Sequence, residues 1–469
     1  MFETICGLVG SDPDLPVRAR RLDIYRRVLD GRLYDVLPYE FHEERSAGGE
    51  YIPLRQRRPS VRYALARIVV DDSTSLLFGD GHFPTIDGPD PEVRRVLADV
   101  VDECGLNAVM LEAARTGSVG SVAIAMRVLR GRVFFRVLDT MFLTPVWDAN
   151  EPDRLLRVTE RYKVAGALLM ARGYDACEPS GQYWFMREWD AETERWFLPQ
   201  PVGDTGPPMP DTVRSVRHRL GFVPITWIRN LPGGDDVDGA CTFAAAIETG
   251  IEIDYQLSQA GRGLKYSSDP MLLIREPAAP DGELVRGGGN ALIVGANGDA
   301  KLLEINGTAA EAVIEYVRSL REYALEGVHG NRASADRLSA AQSGRALELM
   351  NQGLVWLADR LRVSYGTALL ELARMVLRAS SAMRLRVLGA PVGTLDATAR
   401  LSLAWPRWTP TTADERASDA ASLVALLNAG LISRESAAKS IADSWGVIDV
   451  HAELRRVESD KSEFGPEDA

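Results

Sequence analysis

Residues 243–329 read FAAAIETGIEIDYQLSQAGRGLKYSSDPMLLIREPAAPDGELVRGGGNALIVGANGDAKLLEINGTAAEAVIEYVRSLREYALEGVH. Phe243, Ile247, Ile251, Tyr255 and Leu257 recur every three to four residues, the period of one helix face. Gly261 and Gly263 are expected to end that helix. A short apolar strand, Met271-Leu-Leu-Ile274, follows Asp269-Pro270, and Gly287-Gly-Gly-Asn290 reads as a turn. Ala291-Leu-Ile-Val294 and Lys301-Leu-Leu-Glu-Ile305 flank a loop with Asn297-Gly298, a hairpin signal. About 35 residues cannot bury a core of their own. The unit is therefore expected to pair its edges with something else, such as the same unit of a neighbouring chain.

Thr308 and Glu311 then fit a capping box. Val313, Tyr316, Val317, Leu320 and Ala324 form the apolar stripe of this second helix, and Glu311, Glu315, Arg318 and Glu322 its charged face. Glu315 and Glu322 are both spaced to pair with Arg318. Two helices flanking a small β tip describe a stalk with a head.

Downstream, Gly330-Asn-Arg-Ala-Ser-Ala-Asp-Arg-Leu-Ser-Ala-Ala-Gln342 breaks the pattern with small and polar residues. Ser343 caps a long helix to about Ser380, with a near-heptad seam of Leu347, Met350, Leu354, Leu357, Leu361, Ala368, Leu372 and Met375. Packing within the chain is the default for such a seam. Leu385–Val387 and Leu401–Ala404 read as strands returning to the N-terminal block. The last stretch predicts three helices: Thr411 to Asn428, Ser433 to Gly446, and one opening at Asp449.

Upstream, Pro232-Gly-Gly-Asp-Asp-Val-Asp-Gly239 is turn-forming, acidic and too polar for a core, and is expected to be a boundary. Before it lies a mixed block. Residues 1–60 predict helix and irregular wrapping. Leu65, Ile68, Val69 and Leu76 predict a helix ended by Gly79 and Gly81, and another spans Pro91 to Arg115. Val122–Leu129 and Arg132–Leu138 flank Arg130-Gly131 as a hairpin. Leu155–Val164, Tyr183–Trp189, Arg195–Leu198 and Phe222–Ile228 are further strands. Trp184, Phe185, Trp189, Trp196 and Phe197 are expected to pack the sheet.

At 469 residues the chain should hold two to four structural units. No apolar run approaches the roughly 20 residues of a membrane span. Met1 to Cys6 carries no basic segment ahead of an apolar stretch, so no secretory signal is expected. Cys6, Cys104, Cys177 and Cys241 are scattered and the five histidines lie far apart, so neither a metal site nor any cofactor is expected. The net charge is −12, whereas tight sequence-independent DNA binders are basic because they neutralise phosphates. Basic residues are almost all arginine, which codon usage alone can explain. No Walker A, GxGxxG, GxSxG or HExxH motif is present. Asp71-Asp72 and Asp235-Asp236 read as solvated surface rather than catalytic pairs, so no catalytic residue is expected.

Four local strings, in order, resemble the portal proteins of tailed, double-stranded DNA bacteriophages. They are Leu220-Gly-Phe-Val-Pro-Ile225 with Asn230 and the acidic turn, Ser267-Ser-Asp-Pro-Met-Leu-Leu-Ile274, Ser343-Gly-Arg-Ala-Leu347, and Ala429-Gly-Leu-Ile-Ser433 with Glu435. The resemblance runs from about Val61 to Glu458; residues 1–60 match weakly. It implies an α+β fold: a mixed wing over 1–239, stem helices over 240–266 and 307–329, and a β-rich clip over 267–306. A tunnel loop would span 330–342, the long helix and return of the wing 343–409, and a helical crown 410–469.

The implied function is a non-enzymatic, dodecameric DNA conduit at one capsid vertex, assembled in a bacterial cytoplasm and resident in the virion. Its implied partners are its own copies, terminase, a head-tail adaptor, the major capsid and scaffold proteins, and double-stranded DNA transiently and without sequence preference. No membrane is involved. Asn331, Arg332, Ser334, Asp336, Arg337 and Ser339 would face DNA, with Arg332 and Arg337 touching phosphates. Met271, Leu272, Leu273, Ile274, Ala291, Leu292, Ile293 and Val294 would form the clip interface. The alternatives are another head-tail structural protein, such as an adaptor, or an enzyme whose site carries no motif.

Overall fold

The computed structural model is a mixed α+β fold. It describes residues 1–10, 12, 14–79, 81–175, 177–268, 271–277, 294–303, 308–330, 344–408, 413–445, 447 and 450–464. The chain opens with α1 (Phe2–Leu8) and α2 (Val17–Leu29). Two short strands, β1 (Tyr39–Glu40) and β2 (Arg57–Arg58), then pair in parallel. α3 (Leu65–Phe78) follows and buries Leu65, Val69, Leu77 and Phe78.

After β3 (Thr85–Asp87) come α4 (Pro91–Cys104) and α5 (Leu106–Gly117), where the periodicity predicted one helix. The break is Gly105, at φ +57°, whose N–H bonds to the carbonyls of Val101 and Asp102. A left-handed glycine closes the first helix, and the second starts at once. The entry to α4 is conventional: Asp90 Oδ1 accepts from Glu92 N at 2.9 Å and Pro91 takes the first position.

β4 (Ser121–Leu129) and β5 (Arg132–Leu138) form the expected hairpin. Arg130 and Gly131 have φ of 55° and 86°, the left-handed pair of a tight two-residue turn. Next come β6 (Leu143–Trp147), β7 (Leu155–Ala165), α6 (Gly166–Ala171), β8 (Gln182–Trp189), β9 (Thr193–Phe197), β10 (Gln200–Pro201), β11 (Pro210–Arg217) and β12 (Ile225–Arg229). β12 joins the other side of β4, making a three-stranded sheet. The rest make a larger antiparallel sheet in the order β11-β9-β8-β7-β6, with β10 also on β8. The edge strands β6 and β11 were not legible: one contains Pro145 and the other is mostly exposed and polar. Phe185, Trp189 and Trp196 pack one face of the sheet as expected, whereas Trp184 and Phe197 lie along an open groove. Trp184, Phe185 and Trp189 are buried, and Phe185 meets Tyr162 at 5.0 Å and Trp196 edge-on at 5.7 Å.

α7 (Ile247–Ser268) leads to β13 (Met271–Pro277), β14 (Val294–Leu303) and α8 (Thr308–Gly327). α7 does not stop at Gly261 and Gly263 but runs through both. Each glycine costs about 1 kcal/mol against alanine, and α8 packing alongside α7 supplies the tertiary support that outweighs it. α9 (Gly344–Ala382), β15 (Arg386–Val387), β16 (Ala390–Pro391) and β17 (Ser402–Ala404) complete the body. Leu354, Leu357, Leu361, Ala368, Leu372 and Met375 of α9 are buried in the main core with α3, α4, α5 and β4. The seam is therefore intrachain over these positions; the side chains of Leu347 and Met350 lie outside the described residues. β17 pairs with β3, and Arg386 N bonds to Gly131 O, so both C-terminal strands return to the first block.

A second core joins Leu22 and Leu29 of α2, Ala66 and Val70 of α3, Phe243, and Ile247, Ile251 and Tyr255 of α7. The chain finishes with α10 (Ala413–Asn428), α11 (Arg434–Trp445) and α12 (Val450–Phe464), the three helices expected.

Candidate functional site

The most distinctive geometry is the stalk, and burial along its two helices shows how it leaves the body. Ile247, Ile251, Ile253, Asp254, Tyr255 and Ser258 of α7 are buried, whereas Gln259, Gly261, Leu264 and Lys265 are exposed. α8 runs the other way. Glu311, Ile314, Glu315, Tyr316 and Arg318 are exposed, and Ala324, Leu325 and then Val328 are buried. The start of α7 and the end of α8 are thus embedded in the body, while their joined ends emerge from it. Glu315 Oε2 accepts from Arg318 at 2.9 Å, as the spacing predicted.

At the far end β13 and β14 pair antiparallel, Met271 with Leu303, Leu272 with Leu302, Leu273 with Lys301 and Ile274 with Ala300. Among the described residues neither strand bonds to any other sheet. The Asn297-Gly298 hairpin is not formed: both residues lie inside the continuous β14. The register shifts between Arg275–Asp299 and Pro277–Val294, so the extra residues of β14 are taken up in an irregularity. β13 outcompetes the local turn because it offers a long run of cross-strand partners. Val294 opens β14. Ala291, Leu292 and Ile293 lie outside the described residues, as do Asn331, Arg332, Ser334, Asp336, Arg337 and Ser339.

Where the stalk meets the body, buried polar groups fix its direction. Asp254 on α7 is 7% exposed and accepts from Tyr34 Oη and Tyr63 N, both at 2.7 Å. Burial pushes its carboxyl above the usual range, against those hydrogen bonds. Tyr255 Oη donates to Arg57 O at 2.8 Å. Asn230 is fully buried; its Nδ2 donates to Thr242 Oγ1 at 2.8 Å and to Ala240 O at 2.9 Å, and Tyr365 Oη donates to its Oδ1 at 3.2 Å.

The acidic turn before α7 is not the solvated boundary that its composition suggested. Asp238 is 2% exposed and is clasped by Arg18 of α2. Ser121 Oγ donates to it at 2.5 Å, and Arg21 reaches both Asp235 and Asp238. Arg18 also donates to the carbonyls of Thr140 and Leu143. Sequence reasoning missed Asp238, Arg18 and Asp254, because their partners are far apart in the chain. Asp71, by contrast, is half-exposed and 3.9 Å from Arg115, the surface pairing expected of it.

Among the described residues no group of three or more His, Cys, Asp or Glu is placed to hold a metal ion. No described helix is long and apolar enough to cross a membrane. The four cysteines are free thiols, and burial pushes Cys241 up to about 12.

No family model matches this chain, and no curated protein matches it. Among solved structures it is similar to a chain in the virion of a native gene transfer agent particle. The identity is 13%, over 81% of this chain and 93% of that one, at a TM-score of 0.41. A chain in the neck of the native particle, computed with C12 symmetry, gives 13% identity over 81% and 94% at 0.40. A chain in the neck of the empty particle, computed with C6 symmetry, gives 12% identity over 80% and 87% at 0.38.

Proposed function

We propose that this chain is a portal subunit, one member of a ring that conducts double-stranded DNA through a capsid vertex. The observation that carries the reading is the opposed burial of α7 and α8, which makes them a stalk rooted in the body and tipped by a separate two-stranded sheet. In this reading the tip is the clip, where terminase docks during packaging and a head-tail adaptor afterwards. The body around the two sheets and α9 is the wing. Residues 330–342 are the tunnel loop of this reading and, Gly330 apart, lie outside the described residues, while α10 to α12 form the crown. The subunit is a conduit and carries out no catalysis.

Three physical points support it. Each tip strand has one hydrogen-bonded partner among the described residues, so a neighbouring copy can complete the edge, as a head-to-tail ring requires. A net charge of −12 leaves DNA free to slide, where a basic lining would hold its phosphates. The order of local strings resembling portal proteins runs through the same elements.

Native mass measurement with electron microscopy of the purified protein tests the proposal. Closed rings with a central channel are expected. Monomer at every concentration, with no ring in any image, overturns it.

A further inference from the structure

The larger sheet has a second face, turned away from its aromatic core. Strand residues alternate between faces. Val158, Val164, Phe185 and Trp189 are buried on one side, while Arg157, Thr159, Arg161, Trp184 and Met186 line an open groove on the other. The loop at 197–208 walls the groove, whose volume is about 530 Å³. Arg161 lies over the Trp184 ring, 4.1 Å from its centroid. Among the described residues it has no carboxylate partner, and its guanidinium edge is left to donate. Stacking holds that fork flat before any ligand arrives, which lowers the ordering cost of binding. Arg157 stands at the other end of the floor, 3.5 Å from Glu188. The two arginines stand four positions apart in the strand, a span of roughly 13 Å on the same face. Apolar surface lies beside them at Met186, Phe197 and the exposed Leu198.

We propose that this groove binds an extended acidic peptide segment, with carboxylates on Arg161 and Arg157 and an apolar side chain against Met186. The charge pattern selects this partner. Two arginines suit two carboxylates, but a duplex held by phosphate contacts needs several cations. Every residue of the site comes from one chain, so the peptide can be tested on protein that forms no ring.

The probe is a fluorescein-labelled peptide with glutamates at the spacing of Arg157 and Arg161 and a leucine midway, titrated with the full chain and read by anisotropy. Binding is expected, weakening as salt is raised, and absent when lysines replace the glutamates. Arg161→Ala is expected to weaken it on the order of tenfold, the worth of one charged hydrogen-bonded contact. Arg161→Lys, which lacks the planar fork, also weakens it. Arg161 is exposed, so both variants fold, and circular dichroism checks this. The proposal is overturned if the acidic peptide does not bind or if Arg161→Ala binds it equally. It is also overturned if a DNA duplex, and not the peptide, is captured through Arg161.

Discussion

Arg18 and Asp238, 220 residues apart in sequence, meet in a two-point ion pair, with Nε–Oδ2 and Nη2–Oδ1 both 2.7 Å. The pair ties α2 to the turn that launches the first stalk helix. Its parallel fork-to-carboxylate geometry is the strong form of this contact.

Breaking that pair leaves the remaining charge buried. Asp238→Ala is expected to destabilise the fold by roughly 3–5 kcal/mol, and Arg18→Ala by less, because Arg21 still reaches Asp238 at 2.8 Å. Urea unfolding followed by tryptophan fluorescence measures this. Combining Arg18→Met with Asp238→Leu should cost less than the sum of the single losses, because no charge is stranded.

Tyr365→Phe removes the hydroxyl that satisfies Asn230 in the core. The fully buried Asn230 Oδ1 then loses its 3.2 Å donor, at a cost of about 1–3 kcal/mol. Gly117→Ala acts on the same spot more severely, since a Cβ there would stand 2.3 Å from Tyr365 Oη and 2.9 Å from Val122. Both variants should lower the thermal unfolding midpoint, with Gly117→Ala the lower.

Two aspartates give opposite pH dependence. Burial raises the Asp254 carboxyl, so its contribution to stability is present below the ordinary carboxylate range and lost as pH rises through its folded value. Asp254→Asn should therefore gain on wild type as pH is raised from acid to neutral. The Arg21 hydrogen bond, helped by the Asp238 and Val237 amides, brings Asp235 down to about 2. Its contribution is present at neutral pH and lost as pH falls toward that value. Asp235→Asn should trail wild type at neutral pH, only slightly because the pair is half-exposed, and draw level in acid. Thermal unfolding across this range measures both.

Replacing residues 269–307 with a short flexible linker should leave the body folded. The tip strands bond only to each other among the described residues, and the two stalk helices are rooted in the body at their other ends. The unfolding midpoint should match wild type within about 1 kcal/mol of stability, the usual effect of change away from a core. On the portal reading this variant loses terminase binding in a pull-down, while Arg332→Ala with Arg337→Ala keeps ring assembly and loses packaging.

Most of the elements could be read directly from local pattern. Helical periodicity located α3, α7, α8 and α9, and the Arg130-Gly131 turn located its hairpin, because these signals sit within a few neighbouring residues. The misreadings share a cause. Gly105 interrupts a periodic run that Gly261 and Gly263 do not, and which glycine breaks a helix depends on the packing around it. Asn297-Gly298 favours a turn locally, yet β13 supplies a full strand of hydrogen bonds instead.

The stalk-and-tip order was determined by the sequence alone, since apolar period and capping act over one or two helical turns. Only the tertiary structure decided which polar residues matter. Asp238 looks like one more surface acid in an acidic loop until Arg18 is brought against it, and Asp254 until Tyr34 and Tyr63 enclose it. A charge's role depends on whether water or protein surrounds it, and the fold sets that by joining segments that the linear chain keeps about two hundred residues apart.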